Sequence, residues 1–272
     1  MAEQIAVAAV DLHVVEQGEG PPVLLLHGFA ANAFTWAKIR APLSMRNTVY
    51  AVDLKGFGDS PKPDDGAYTL RDHADAVLRL IERRNLTDLA IVGHSMGGGV
   101  AMLVALELQR RAGIRLRGLV LIGSIGASQP IPRMLVMLRL PLAGELIAWG
   151  VPPRTFIRAG MRSAYFDPRR IEPAFVEAYA APLRTRAGRR AALATVRQTA
   201  PSDVDALFRR AGEIRAPVLL LWGHEDRVVP LSAGERLEAA IPGARLVVLA
   251  RCGHIPQEEA PEATLAVLRG AL

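Results

Sequence analysis

The chain has 272 residues, of which 50% are hydrophobic and 22% charged, with Lys+Arg 33 against Asp+Glu 27. These proportions exclude a disordered, collagenous or disulfide-stapled chain. A single cysteine, Cys252, excludes any intramolecular disulfide and any multi-cysteine zinc site, and leaves no cue for an oxidising compartment. The net charge of +6 is unevenly spread: residues 133–215 carry fifteen arginines against seven acids, a net of +8, whereas the rest of the chain nets −2. No recognition motif or aromatic interleaving accompanies that charge, so it is read as a solvated helical surface rather than a nucleic-acid or anionic-membrane site.

Along the chain, strand and helix signals alternate. Residues 22–26 (PVLLL) form a short apolar run ended by His27-Gly28. A second run, 48–52, is β-branched and ends at Asp53. Residues 70–83 place Ala74, Val77, Leu78 and Ile81 at helical spacing. The run 89–92 ends at Gly93 and is followed by a helical pattern over 96–110 with Val100, Leu103, Val104 and Leu108. The run 119–122 ends at Gly123. Continuous rather than alternating apolar runs indicate strands buried on both faces, as in a parallel sheet. Residues 128–215 lose this rhythm. They are helical in tendency but punctuated by prolines, which predicts several short, angled helices inserted into the sheet domain. The pattern then resumes with a strand at 217–222, a helix at 233–240, a strand at 245–249 and a closing helix from Pro261.

The N-terminal stretch has no basic n-region and is interrupted by Asp11 and His13, unlike a signal peptide. The most apolar later stretch, 134–151, is broken by Arg139, Pro141, Gly144 and Glu145, short of the roughly 20 apolar residues of a membrane span. A cytoplasmic protein without stable membrane insertion is expected.

Chemistry concentrates at Gly93-His94-Ser95-Met96-Gly97, a Gly-x-Ser-x-Gly set between an apolar strand and a helix. A sharp turn there projects the serine hydroxyl above the sheet, and the glycines admit neighbouring backbone. Serine needs an adjacent base. His254 follows the last strand and Asp226 the preceding one, so both fall at the same sheet end as Ser95, in the order nucleophile, acid, base. Asp226 would hold the imidazole tautomer and His254 would shuttle the Ser95 proton. Glu225 competes with Asp226 for the acid role; His224 and His94 read as loop and structural residues, and Cys252 as a buried bystander. Two backbone N–H groups would form the oxyanion hole, one from Met96 and one from Phe29 in the loop after the first run, with His27 bracing that loop.

These motifs, together with the turn Asp53-Leu54-Lys55-Gly56-Phe57-Gly58-Asp59-Ser60, give the chain a resemblance to the cap-bearing α/β-hydrolase superfamily over essentially its whole length. The resemblance implies an eight-stranded, mostly parallel sheet flanked by helices, a core of residues 1–127 and 216–272, and a helical cap of residues 128–215 inserted after strand 6. It also implies an acyl-enzyme mechanism without metal or cofactor. The turn at 53–60 is structural in that superfamily. Serine at position 95 separates the chain from dehalogenases and epoxide hydrolases of this fold, which carry aspartate there.

The resulting expectation is a serine carboxylesterase acting on apolar acyl or aromatic esters, with a small molecule as its partner, no nucleic acid, and a monomeric or homodimeric state. The expected substrate-binding residues are Phe29, Met134, Met137, Leu138 and Trp149. Cap arginines, among them Arg133, Arg139, Arg154, Arg158 and Arg162, are candidates to meet a substrate carboxylate. The first alternative is a C–C bond hydrolase of aromatic ring-cleavage products. Those enzymes usually show Asn before the nucleophile and Trp after the histidine, where this chain has His94 and Ile255. The second is a ligand-binding member of the fold with little turnover.

Overall fold

The computed structural model describes residues 11–127 and 129–272. Its spine is one sheet with strand order β1-β3-β2-β4-β5-β6-β7. The strands are β1 (Val14–Gln17), β2 (Pro22–Leu26), β3 (Thr48–Val52), β4 (Asp88–His94), β5 (Arg115–Ile122), β6 (Val218–Gly223) and β7 (Arg245–Leu249). Only β1 runs antiparallel, against β3; every other pairing is parallel. The continuous apolar runs arise because alternate residues feed two different cores. Leu24, Leu26, Ile91, Leu119, Leu121 and Trp222 pack on one face. Val23, Leu25, Val92, Val120, Ile122 and Leu221 pack on the other.

Helices close both faces. On the first, α2 (Leu70–Arg83) lies against α3 (Met96–Leu108). A capping box, Thr69 with Asp72, starts α2 where the apolar spacing begins. On the second, α1 (Ala37–Ser44) meets α12 (Pro261–Arg269). The sequence pattern gives no sign of α1, because Pro42 sits inside it. Two further helices, α10 (Leu231–Ala240) and the short α11 (Pro256–Glu259), complete the sheet region.

Six helices separate β5 from β6: α4 (Arg133–Arg139), α5 (Pro141–Gly150), α6 (Pro153–Ala164), α7 (Pro173–Ala180), α8 (Arg186–Gln198) and α9 (Pro201–Arg209). Prolines start α5, α6, α7 and α9, where the missing N–H costs no helical bond. These helices hold small apolar clusters of their own, one around Phe175 and Tyr179 and one around Leu138 and Leu193. The described residues contain seven strands, and the helical insertion follows the fifth of these. Residues 1–10 and Ser128, the expected first residue of the cap, lie outside the described residues. Among the described residues no helix is long and apolar enough to cross a membrane.

Candidate active site

Parallel pairing puts the carboxyl ends of β2, β4, β6 and β7 on one edge, and the loops leaving those ends carry the polar residues singled out by sequence. Ser95 leaves β4 with φ 54 and ψ −119, a left-handed conformation strained for a side chain-bearing residue. Its N–H donates to Ile122 O at 2.9 Å, and its carbonyl accepts from Gly98 N at 3.0 Å and Ile125 N at 3.1 Å. The strain is held because the turn is packed from both sides. A Cβ on Gly97 would sit 2.4 Å from Leu26 O and His27 O, and one on Gly93 would sit 2.5 Å from Gly97 O. Only glycine lets β2, β4 and α3 come this close.

The loop after β2 is drawn to the same point. A Cβ on Gly28 would lie 3.0 Å from Ser95 Cβ. His27 is fully buried; its Nε2 accepts from Leu54 N at 2.9 Å, so its Nδ1 carries the proton that it donates to Gly28 O at 2.7 Å. Burial lowers its pKa, which keeps this neutral arrangement. His27 thus braces the loop bearing Phe29. Among the described residues the N–H groups of Phe29 and Met96 have no hydrogen-bond acceptor.

On the opposite side, His254 Nδ1 lies 2.7 Å from Asp226 Oδ2, with both side chains buried. The other oxygen, Asp226 Oδ1, accepts from Val228 N and Val229 N, each at 2.8 Å. The carboxylate is therefore clamped by backbone on one oxygen and offers the other to the imidazole. Glu225 is turned away and accepts from Cys252 N at 3.0 Å, which decides between the two acids. Gly123, with φ +48, passes beneath the pair; a Cβ there would sit 3.0 Å from His254 Nδ1 and 3.1 Å from Asp226 Oδ2.

His94 donates from Nε2 to His254 O at 2.8 Å, and its ring lies 4.8 Å from that of His254. Burial, and after it the neighbouring His254, hold its pKa well below the usual imidazole value. His94 is a neutral brace for the His254 loop. The inserted helices support the same loop, since His254 N donates to Ala164 O at 2.6 Å. Cys252 is buried, and burial raises its pKa above the ordinary thiol value, which disfavours the thiolate. Asp53 is used up structurally, accepting from Ala33 N, Asp59 N and His13 Nδ1 at 2.6, 2.8 and 2.9 Å.

Ser95 stands between two cavity lobes that share Phe29, Pro132, Leu135 and Val228. One lobe, about 850 Å³, contains His254 and His94 and is walled by Met134, Phe156, Met161, Tyr179 and Ile255. The other, about 800 Å³, is walled by Met96, Ile125, Val196 and Val204, with Arg139 and Asp205 as its charged side chains. Thr35 and Tyr179, on the wall of the first lobe, both donate to the buried carboxylate of Glu258, whose pKa burial raises.

Of the expected binding residues, Phe29 and Met134 line these lobes. The structure corrects the other three. Leu138 faces a neighbouring small cavity with Leu193, and Met137 and Trp149 point outward, 44% and 41% exposed. Among the arginines of the inserted helices, Arg139 lines the second lobe, whereas Arg154, Arg158 and Arg162 line an outer groove along α6. Val228 and Ile125 had no sequence signal beyond lying just after strand ends, and Tyr179, in the middle helical segment, had none.

Residues 21–261 match the family described as alpha/beta hydrolase fold. A 2-hydroxymuconate semialdehyde hydrolase from Pseudomonas putida is 32% identical over 289 residues, spanning 96% of this chain and 90% of the relative. Among solved structures, a 2-hydroxy-6-oxo-6-phenylhexa-2,4-dienoate hydrolase from Rhodococcus sp. strain RHA1 is similar with a TM-score of 0.80 and 26% identity, over 96% of this chain and 99% of that one. A thermophilic esterase from Thermogutta terrifontis is similar with a TM-score of 0.77 and 26% identity, over 96% and 92%.

Proposed function

The chain belongs to the α/β-hydrolase superfamily, and within it we propose a serine-dependent hydrolase that cleaves a carbon–carbon bond next to a ketone in a 2-hydroxy-6-oxo-dienoate or a related ring-cleavage product. The catalytic part of this reading rests on one arrangement: a strained Ser95 lines the same cavity lobe as His254, whose imidazole is held by the buried Asp226. The choice of a carbon–carbon bond is supported by the relatives, whose substrates are of this class.

Such a substrate first shifts a proton to C5, giving the 2,6-dioxo tautomer. Ser95 attacks the C6 carbonyl as His254 takes its proton, and Asp226 stabilises the resulting imidazolium. The oxyanion meets the N–H groups of Phe29 and Met96. The C5–C6 bond then breaks. Its electron pair passes through C4 and C3 to the C2 carbonyl oxygen, C6 stays on Ser95 as an acyl ester, and His254 gives its proton to the departing dienolate, which leaves as the 2-hydroxydienoate. Water then attacks the ester as His254 takes its proton, and His254 returns that proton to Ser95 Oγ as the carboxylic acid leaves. Arg139 in the second lobe supplies the positive charge for the substrate's C1 carboxylate, and the apolar first lobe takes the C6 substituent. In this reading residues 128–215 act as a cap over a core formed by 1–127 and 216–272.

Ester hydrolysis by the same residues is the second reading. It is favoured by His94 and Ile255 standing where C–C hydrolases usually show Asn and Trp, and by a His254 lobe whose described walls carry no lysine or arginine. The test is turnover of 2-hydroxy-6-oxo-6-phenylhexa-2,4-dienoate, followed by loss of its coloured dienolate, beside p-nitrophenyl butyrate, each with Ser95→Ala as control. Dienoate turnover that disappears in the variant supports the proposal. Turnover of the ester alone overturns it in favour of an esterase, and tight binding of both without turnover overturns the enzyme reading.

A further inference from the structure

We propose that the outer face of α4 and α5 docks on an anionic lipid bilayer surface. Among the described residues, nine large apolar side chains are markedly exposed, and six of them lie here: Val136, Met137, Leu140, Leu142, Leu146 and Trp149. Leu142 and Leu146 are 81% and 73% exposed. Single exposed apolar residues are ordinary, but a contiguous set is not. The spacing makes it contiguous. Residues 136, 137 and 140 form one stripe and 142, 146 and 149 another, at intervals of three and four. Both helices rest on α8, which leaves these stripes pointing away from the protein.

Charge selects the occupant. The helical segment that carries this face nets +8. The guanidinium groups of Arg186 and Arg189 lie 5.4 and 5.6 Å from the Trp149 ring, and Arg133 is exposed at the start of α4. The one acid within the two helices, Glu145, is engaged by Arg197 at 2.9 Å and by Trp149 Nε1 at 2.7 Å. Leucines flanked by arginines, with a tryptophan between them, suit the boundary of acyl chains and anionic headgroups. A second copy suits the face less well, because a two-fold contact would set these arginines against their own copies. The sequence shows arginines without aromatic interleaving; folding brings Arg186 and Arg189 to Trp149 across nearly forty positions.

The same hairpin walls the candidate active site on its inner side through Pro132, Met134 and Leu135. A docked surface would therefore lie one helix thickness from the cavity. Docking does not depend on which carbonyl compound the site takes.

The test uses the full chain with vesicles of phosphatidylcholine alone and with one third phosphatidylglycerol. Trp36 and Trp222 are fully buried, so a change in tryptophan emission reports Trp149. Expected results are co-sedimentation with the anionic vesicles, a blue shift in emission, and weakening as salt shortens the Debye length from roughly 10 Å to 3 Å. Leu142→Ser with Leu146→Ser should weaken binding at least about tenfold, and Arg133→Gln roughly fivefold. Both leucines are exposed enough for the variant to fold as the parent does. Absence of binding, or equal binding by parent and double variant, overturns the proposal. A parent dimer seen by light scattering, lost in the double variant and accompanied by no vesicle binding, overturns it in favour of a second copy.

Discussion

Replacing Asp226 by Asn tests the site with almost no change of shape. In the parent, the carboxylate accepts on both oxygens: Oδ1 from Val228 N and Val229 N at 2.8 Å, and Oδ2 from His254 Nδ1 at 2.7 Å. His254 therefore carries its proton on Nδ1 and keeps a lone pair on Nε2 for Ser95. An asparagine must choose an orientation. Placing its NH2 against the two backbone donors would lose two hydrogen bonds, at about 1–3 kcal/mol each. Its oxygen therefore stays with Val228 and Val229, and its NH2 faces His254. Nδ1 must then accept, the proton moves to Nε2, and the base toward Ser95 is gone. The expected fall in kcat is about 10⁴, roughly 5 kcal/mol in the barrier. KM should barely change, because the cavity walls are untouched. The assay is steady-state turnover on the dienoate and the ester, with thermal unfolding to show that the variant is folded. A folded Asn variant retaining more than about a tenth of parent kcat would refute the orienting role of Asp226.

Ser95→Ala should remove turnover on both substrates while leaving thermal unfolding within a few degrees of the parent, because alanine keeps the Cβ and the backbone of the turn. Gly123→Ala puts a methyl 3.0 Å from His254 Nδ1 at a φ of +48, and should lower kcat by about 10² through displacement of the imidazole, seen as a kcat effect with little change in KM. Arg139→Gln should raise KM for the dienoate at least about tenfold more than for the neutral ester; equal effects would remove the carboxylate role. His73 is fully buried, with both ring nitrogens unpartnered among the described residues, and burial, then the neighbouring His27 and Lys55, push its pKa down to about 3. The folded state refuses the proton that the unfolded chain accepts near 6.5. Its contribution is complete above that pH and is lost as pH falls from 6.5 toward 3, by up to roughly 5 kcal/mol. Urea midpoints measured across that range should fall more steeply for the parent than for His73→Leu; parallel slopes would refute this.

Much of the sheet domain is legible in the residues themselves. The runs at 48–52 and 245–249 coincide with β3 and β7, and the helical spacing at 70–83 with α2. Continuous apolar runs allow little besides strands covered on both faces, and Gly-x-Ser-x-Gly between such a run and a helix allows few backbones besides a tight turn. Ser95, Asp226 and His254 follow, because parallel strands bring their carboxyl ends to one edge whatever the loops between them do. Asp226 was already the acid chosen from sequence over its neighbour Glu225; the fold adds the physical reason, since two backbone N–H groups orient one carboxylate and Cys252 N draws the other away.

The lining of the cavity was not legible. Residues 134–138 read alike as apolar, yet Met134 and Leu135 face the site, Val136 and Met137 face outward, and Leu138 packs under α8. Successive side chains on a helix point about 100° apart, so their fates depend on how α4 is rotated. That rotation is set by long-range packing on α8 and α5. The amino-acid order thus determined the sheet and the edge at which Ser95, Asp226 and His254 gather, through local backbone and burial rules. Which side chains of the inserted helices meet the cavity, and which meet solvent, was decided only when short, proline-started helices docked by contacts far apart in sequence.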